Sequence, residues 1–281
     1  MKTILLPFYD DPVAQHAFDA AARFVRRTNG YIEGLFVLRR PQILEGGDGD
    51  MLADTHFAEF QEECRRVADR ARAHFESCAA QQGLPVENLG GSDRAAAGWR
   101  EIEGSEEQVV GAHGRLFDLI VVGRDFGRGW LNWRVIVESA LFDSGRPVLL
   151  TPESIGPTIG DNVVIAWNSS PEVARTIAFS MPCLQRARSV TVLSVEGWGT
   201  PEPNAKELAS YLQRAGVPAT ARVVNPAGRT PGEVILAECT KAGADLLVKG
   251  AYTQSRLRQL IFGGATRHIL TRAQLPVIFS N

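Results

Sequence analysis

The chain has 281 residues, with 30 basic and 32 acidic side chains giving a formal net charge of −2. That length suits two compact domains better than one, and the balanced charge lacks the positive surface that non-specific nucleic-acid binding needs, which excludes DNA and RNA as expected partners. The opening apolar run, Ile4-Leu5-Leu6, is cut short by Pro7, Asp10 and Asp11 before a signal-peptide core is complete, and no later run is long enough for a bilayer. The four cysteines, Cys64, Cys78, Cys183 and Cys239, form neither a C-x-x-C pair nor a dense framework, and the five histidines are scattered. Reduced thiols, no structural metal, no membrane and a cytoplasmic location are the expectation.

Predicted elements repeat in the same order along the chain. Ile4-Leu5-Leu6-Pro7 pairs with Val163-Val164-Ile165-Ala166, Asp118 to Gly123 (DLIVVG) with Asp245 to Gly250 (DLLVKG), and Arg146 to Leu150 (RPVLL) with Leu275 to Phe279 (LPVIF). The separation falls from 159 residues between Ile4 and Val163 to 127 between Asp118 and Asp245. The first copy therefore carries roughly thirty extra residues, expected after Leu38 as an added element. Within that stretch, near residues 50–82, Phe57, Phe60, Cys64, Val67, Ala71, Phe75 and Cys78 recur at three- and four-residue steps and predict one apolar helix face, to be packed on the sheet of its own domain.

Short leucine-rich or β-branched runs alternate with helical stretches, which is the pattern of βα units on a parallel sheet. In the second copy the strands are expected near 162–167, 189–195, 219–224, 245–249 and 276–280. The Trp99 to Gly104 stretch is expected as third strand and exit loop of the first copy. Ser169-Ser170-Pro171-Glu172 and Asp10-Asp11-Pro12 read as helix starts, the former with Glu172 at capping-box spacing from Ser169. Pro152 to Asp161, with two prolines and two glycines, reads as the linker, so the expected domains are 1–152 and 160–281. The fold class is α/β: two doubly wound domains, each a mostly parallel five-stranded sheet with helices on both faces.

In such sheets ligands bind beyond the carboxyl ends of the strands, where the strand order reverses. That rule selects Trp167-Asn168-Ser169 after the first strand of the second copy and Gly250-Ala251-Tyr252-Thr253 after its fourth, with Ala166 and Val195 at the strand ends beside them as further candidate binding residues. Gly263-Gly264-Ala265-Thr266 then opens the last helix, where free amides favour an anion and glycines let a ligand close in. Arg256, Arg258 and Arg267 could add charge-assisted contacts. His268 follows on the helix and reads as a packing residue.

With the D-L-L-V-K-G strand, the Gly-Gly helix start, the final P-V-I-F strand and the duplication in view, the chain resembles the universal stress protein family over nearly its whole length, in the tandem form. The resemblance implies an adenine-nucleotide pocket for ATP or AMP, with Mg admissible beside it. ATP-binding members have glycine, two residues, glycine, nine residues, then glycine and serine or threonine, with an aspartate after the first strand. Here Gly250 and Gly263 match, Thr253 and Gly264 depart from that pattern, Thr266 can supply the hydroxyl, and Asn168 stands for the aspartate. The first copy departs further: Ile136 and Val137 are aligned with Gly263 and Gly264, Glu138 would set a carboxylate by any phosphate, and Tyr9 takes the aspartate position. The first copy is expected to be a structural partner whose last strand, ending at Leu150, pairs with the one ending at Phe279 across a pseudo-two-fold axis.

No G-x-S-x-G elbow, H-E-x-x-H helix or complete P-loop is present. The sequence therefore favours a regulatory nucleotide-binding stress protein without evident catalytic residues, with slow ATP hydrolysis as its upper limit. Two alternatives stay open: a ligand-free structural or chaperone-like interaction protein with a relic site, and an enzyme acting on a nucleotide-like metabolite. A homodimer and an unidentified protein partner are the expected associations.

Overall fold

The run Leu119-Ile120-Val121-Val122 is buried at every position, and so is Leu246-Leu247-Val248-Lys249. Strands covered on both faces require helices on both sides, and the chain supplies them. The computed structural model describes residues 1–11, 13–39, 50–87, 93–124, 133–251 and 264–281. The amino half runs β1 (Thr3–Pro7), α1 (Ala14–Arg26), β2 (Tyr31–Arg39), α2 (Asp50–Gln81), β3 (Ala96–Gly104), α3 (Glu106–Gly114), β4 (Leu119–Gly123), α4 (Trp133–Asp143) and β5 (Val148–Thr151). The carboxyl half runs β6 (Asn162–Ala166), α5 (Pro171–Leu184), β7 (Ser189–Val195), α6 (Ala205–Arg214), β8 (Ala219–Val224), α7 (Pro231–Lys241), β9 (Leu246–Gly250), α8 (Gly264–Arg272) and β10 (Val277–Ser280).

All ten strands form one sheet in the order β3-β2-β1-β4-β5-β10-β9-β6-β7-β8. Within each half the pairing is parallel. At the centre β10 pairs antiparallel with β5, Ile278 opposite Leu149, as the family resemblance implied. The antiparallel centre makes the strands of the two halves run in opposite directions, so their carboxyl ends lie at opposite edges. Alternating side chains feed two cores: Ile4, Leu6, Val163 and Val248 face α1, α2, α5 and α6, whereas Leu5, Val164 and Leu247 face α3, α4, α7 and α8.

Three local expectations need correction. The extra residues of the first copy are not a separate element: α2 has 32 residues where its counterpart α6 has 10. Its predicted apolar face holds only in part, because Ala71, Phe75 and Cys78 are buried and join Ala68 and Ala79, while Phe60 is exposed and Phe57 lies outside the described side chains. Phe75 is fixed edge-on against Phe8 and Phe18 at centroid distances of 5.3 and 5.1 Å, which anchors the carboxyl end of α2 to the sheet. The cap of α5 is Ser170, whose hydroxyl accepts from Val173 N, and not Ser169. Ser169 has φ +60 and its Oγ donates to Pro203 O. In the first copy Asp11 Oδ1 accepts from Val13 N, and α1 begins only at Ala14, later than the aspartate pair suggested; Pro12 lies outside the described residues.

A buried contact, besides the more exposed Arg27–Asp161 pair, ties the halves together away from the sheet. Arg124, which follows β4 and is 1 % exposed, donates to the carbonyls of Leu270 and Ala273 at the end of α8. Burial pulls its guanidinium down to about 10, partly offset by Glu153. A cation at a helix carboxyl end satisfies carbonyls that lack intrahelical partners and complements the macrodipole. Arg124→Gln is expected to cost about 1.5–3 kcal/mol, the worth of hydrogen bonds to a charged group, read as a lower midpoint in urea denaturation. An unchanged midpoint would refute this role.

Candidate functional site

The carboxyl ends of β6, β7 and β9 lie side by side, because β6 pairs with both β7 and β9. On the α7 and α8 side this edge presents Ala166, Val195, Ala251 and Thr266, all buried. Trp167 points to the opposite core, where its Nε1 donates to Pro203 O at 2.7 Å. Asn168 is half-buried between them. Its Oδ1 accepts from Ser170 N at 3.4 Å, and its carbonyl accepts from Thr200 N at 3.4 Å, so the loop after β7 closes over the loop after β6.

The feature that sequence reasoning missed is Lys249. It is 4 % exposed at the end of a central strand, and its Nζ donates to Thr266 Oγ1 at 2.8 Å and to Gly250 O at 2.7 Å. The Trp198 ring lies 5.9 Å from the ammonium. Burial pulls Lys249 down to about 8, opposed by the negative charge of Glu172. From an ordinary 10.5 that displacement disfavours the charged form by on the order of 3 kcal/mol. The signal was available: a lysine inside an apolar central strand is rare unless a partner neutralises it.

Lys249 sits against the first turn of α8, whose unpaired amides carry positive partial charge. Two positive ends thus meet in one place. Among the described residues a Cβ added at Gly264 would find nothing within 4 Å, so none of them closes the space beside the helix start. The residues present fit an anion: amides from Gly264 to Thr266, the Thr266 hydroxyl and the Lys249 ammonium converge on one region. Among the described residues no group of three or more His, Cys, Asp or Glu is placed to hold a metal ion.

Two of the predicted site residues, Thr253 and Gly263, lie outside the described residues, as do Arg256 and Arg258. Gly250 has a steric reason unrelated to any ligand: a Cβ there would stand 2.4 Å from Val173 N and 2.9 Å from Glu172 C, so its absence lets α5 start against β9. Ala265 is half-buried and Arg267 exposed on α8, while His268 packs against Gly232.

In the amino half the aligned positions shift. Counting back from Val148–Thr151, which corresponds to Val277–Ser280, Val137 takes the place of Thr266 and Glu138 that of Arg267. Ile136 and Val137 therefore do not replace the glycine pair; both are buried core residues within α4, and Val135 stands where Gly264 does. Glu138 lies a turn further along, with its carboxyl raised by burial. Tyr9 packs on Phe36 at a centroid distance of 5.1 Å, and burial drives its phenol far up. These side chains serve packing.

With this geometry in hand, residues 185–280 match the model of the Universal stress protein family. The chain carries a universal stress protein domain. The universal stress protein fold extends over both halves. A universal stress protein from Archaeoglobus fulgidus DSM 4304 superposes with a TM-score of 0.72 at 17% identity, covering 99% of this chain and 96% of that one. A protein from Pseudomonas aeruginosa UCBPP-PA14, described as a universal stress protein, gives 0.54 at 15% identity, covering 100% and 93%. A shorter universal stress protein from Archaeoglobus fulgidus, in complex with dAMP, covers 44% of this chain and 100% of its own at 21% identity and a TM-score of 0.33. A search of curated proteins found no match.

The glycines make a discriminating pair. Gly250→Ala forces a Cβ into the backbone of α5 and is expected to cost about 1–3 kcal/mol. Gly264→Ala meets no described residue within 4 Å and is expected to change stability by less than about 1 kcal/mol. Equilibrium denaturation of both variants checks this; equal losses would contradict the steric assignment.

Proposed function

We propose that the universal stress protein domain of the carboxyl half binds an adenine nucleotide, AMP or ATP, as a regulatory ligand that is held rather than turned over. The observation that carries this reading is the buried Lys249 ammonium beside the first turn of α8. A buried cation next to a positive helix end is electrostatically unfavourable, and a phosphate group relieves both at once. In this reading the phosphates meet the amides of Gly264, Ala265 and Thr266, the Thr266 hydroxyl and Lys249. The adenosine part lies toward Ala166, Asn168 and Val195, where Asn168 Nδ2 can donate to ring nitrogen or ribose oxygen. Thr253 and Gly263 are assigned to the phosphate side by the family pattern, and Mg accompanies ATP without a protein cluster of its own.

Support for binding without catalysis comes from the chemistry of the crevice. Its titratable side chain is a lysine tied to a threonine and a carbonyl, with no base and nucleophile pair beside it among the described residues. The family's partly matched glycine pattern and the domain match at residues 185–280 agree with the choice of half.

The test is to denature the purified protein, identify released nucleotide by chromatography, and titrate stripped protein with AMP and ATP by calorimetry. The account expects AMP or ATP near one per chain and lower affinity in Lys249→Met. Empty protein that shows no thermal shift with either nucleotide would leave the interaction reading in its place.

The pH dependence has a definite sign. An anion prefers charged Lys249, so binding raises the ammonium's pKa above its free value of about 8. Lys249 then adds no pH dependence between neutrality and that pH, and affinity falls up to about tenfold per pH unit above it. In Lys249→Met the alkaline decline should vanish. A wild-type affinity that is flat from neutrality to pH 9.5 would contradict the assignment, since a tenfold effect is ~1.4 kcal/mol and readily measured.

A further inference from the structure

Lys249 has two acceptors within reach and no counter-charge. Its Nζ meets Gly250 O at 2.7 Å and Thr266 Oγ1 at 2.8 Å, and among the described residues no carboxylate pairs with it. The charged side chain whose field reaches it is Glu172, at the start of α5 on the opposite face of the sheet, with its Oε1 turned to Arg175. A neutral amine has two N–H donors and one lone pair. The two acceptors match those donors, so the neutral form is fully hydrogen-bonded and its lone pair is left over. The ammonium instead keeps a third proton that has only the Trp198 ring, 5.9 Å away, to face, in a place where burial already disfavours charge.

The amino half shows that the fold does not need this pair. By strand and helix register Val122 takes the place of Lys249 and Val137 that of Thr266, and both valines are buried. A buried amine and hydroxyl cost more than two valines, which points to a use.

The surroundings of the lone pair suit a small apolar electrophile. Ala166, Val195 and Ala251 line the strand ends and are buried, so carbon dioxide, which has no hydrogen bonds to water to lose on the scale of an ion, enters at little cost. Thr266 is the third residue of α8, and the first-turn amides beside it lack intrahelical partners and carry positive partial charge. An ammonium against that helix end is repelled. An anion grown on the same nitrogen is attracted.

We propose that Lys249 is a carbamylation site, where Nζ adds carbon dioxide reversibly and the first turn of α8 holds the carbamate. The lone pair attacks the carbon, one C=O π bond opens onto oxygen, and the nitrogen releases a proton to solvent. Counted from the ammonium, two protons leave for each carbon dioxide bound, and the side chain changes from cation to anion. The remaining N–H stays on Gly250 O. The Thr266 hydroxyl, relieved of its N–H donor, turns to donate to one carbamate oxygen, and the α8 amides face the other. A nucleotide phosphate on the same amides would exclude the carbamate, but the carbamate does not rest on the nucleotide reading.

The chain has four lysines, Lys2, Lys206, Lys241 and Lys249, which keeps the NMR spectrum simple. Stripped protein, with no nucleotide present, is equilibrated with ¹³C-labelled carbon dioxide at fixed partial pressure, and carbamate carbons are assigned by coupling to lysine ε-methylene protons. A Lys249 carbamate signal is expected that grows with pH at fixed dissolved carbon dioxide, because protons are products, and that disappears when the gas is purged. Lys249→Met should remove it, and Lys249→Arg serves if the methionine variant does not fold. Thr266→Val should lower the ratio of carbamate to free amine about fivefold, the difference between a hydrogen bond to a charged group and one to a neutral amine. Thr266→Ser should retain the ratio. Carbamate signals confined to the Met1 amine and the other three lysines, or a ratio unchanged in folded Thr266→Val, would overturn the proposal. Calorimetry with AMP on separate samples bears on the nucleotide reading alone.

Discussion

The antiparallel contact between β5 and β10 is the constraint on which the rest of the molecule depends. The last strand of each half would otherwise be an open edge, a template for uncontrolled pairing. Set against each other, Val148–Leu150 and Val277–Phe279 bury both edges and produce one ten-stranded sheet. That same contact fixes a pseudo-two-fold relation, which sends the carboxyl ends of the two half-sheets to opposite edges. It also brings the loop after β4 to the far end of α8, where Arg124 caps carbonyls of the partner half. The helix whose amino end forms the candidate anion site is thus held at its other end by the first copy.

Duplication followed by divergence accounts for the division of labour between the halves. At several positions that could serve a ligand in the carboxyl half, the amino half has a larger or more hydrophobic side chain. Arg124 stands where Ala251 does, Val137 where Thr266 does, and Tyr9 where Asn168 does. Arg124 and Val137 are buried, and Tyr9 packs on Phe36. Filling a crevice with side chains that bond or pack internally trades binding for cohesion, and the amino half is built that way.

Much of the architecture was legible in the sequence because buried parallel strands are continuous apolar runs and the runs occur twice. The carboxyl-half strands fall within a residue of their expected places. Lengthening of α2 could not be distinguished from an added element, since both give the same change in spacing. The α2 face was overread because periodicity tells which residues share a side and not how far the sheet extends beneath them: Phe75 lies over it, Phe60 beyond it. Gly250 was read as a ligand contact because it stands at a strand end, but its missing Cβ makes room for α5, a contact between segments about eighty residues apart in sequence. Lys249 was visible as an anomaly in the strand. Its meaning depended on Thr266 and Trp198, which only the fold brings to it.

The account's central claim is that a buried ammonium waits for negative charge at the start of α8. Selective ¹³C labelling of lysine allows the Lys249 ε-methylene to be titrated by NMR, in stripped protein and with saturating AMP. The account predicts a midpoint near 8 in the free protein, as burial dictates, and a rise on addition of AMP. An ordinary midpoint near 10.5 in the free protein, or one that AMP leaves in place while binding elsewhere, would contradict it.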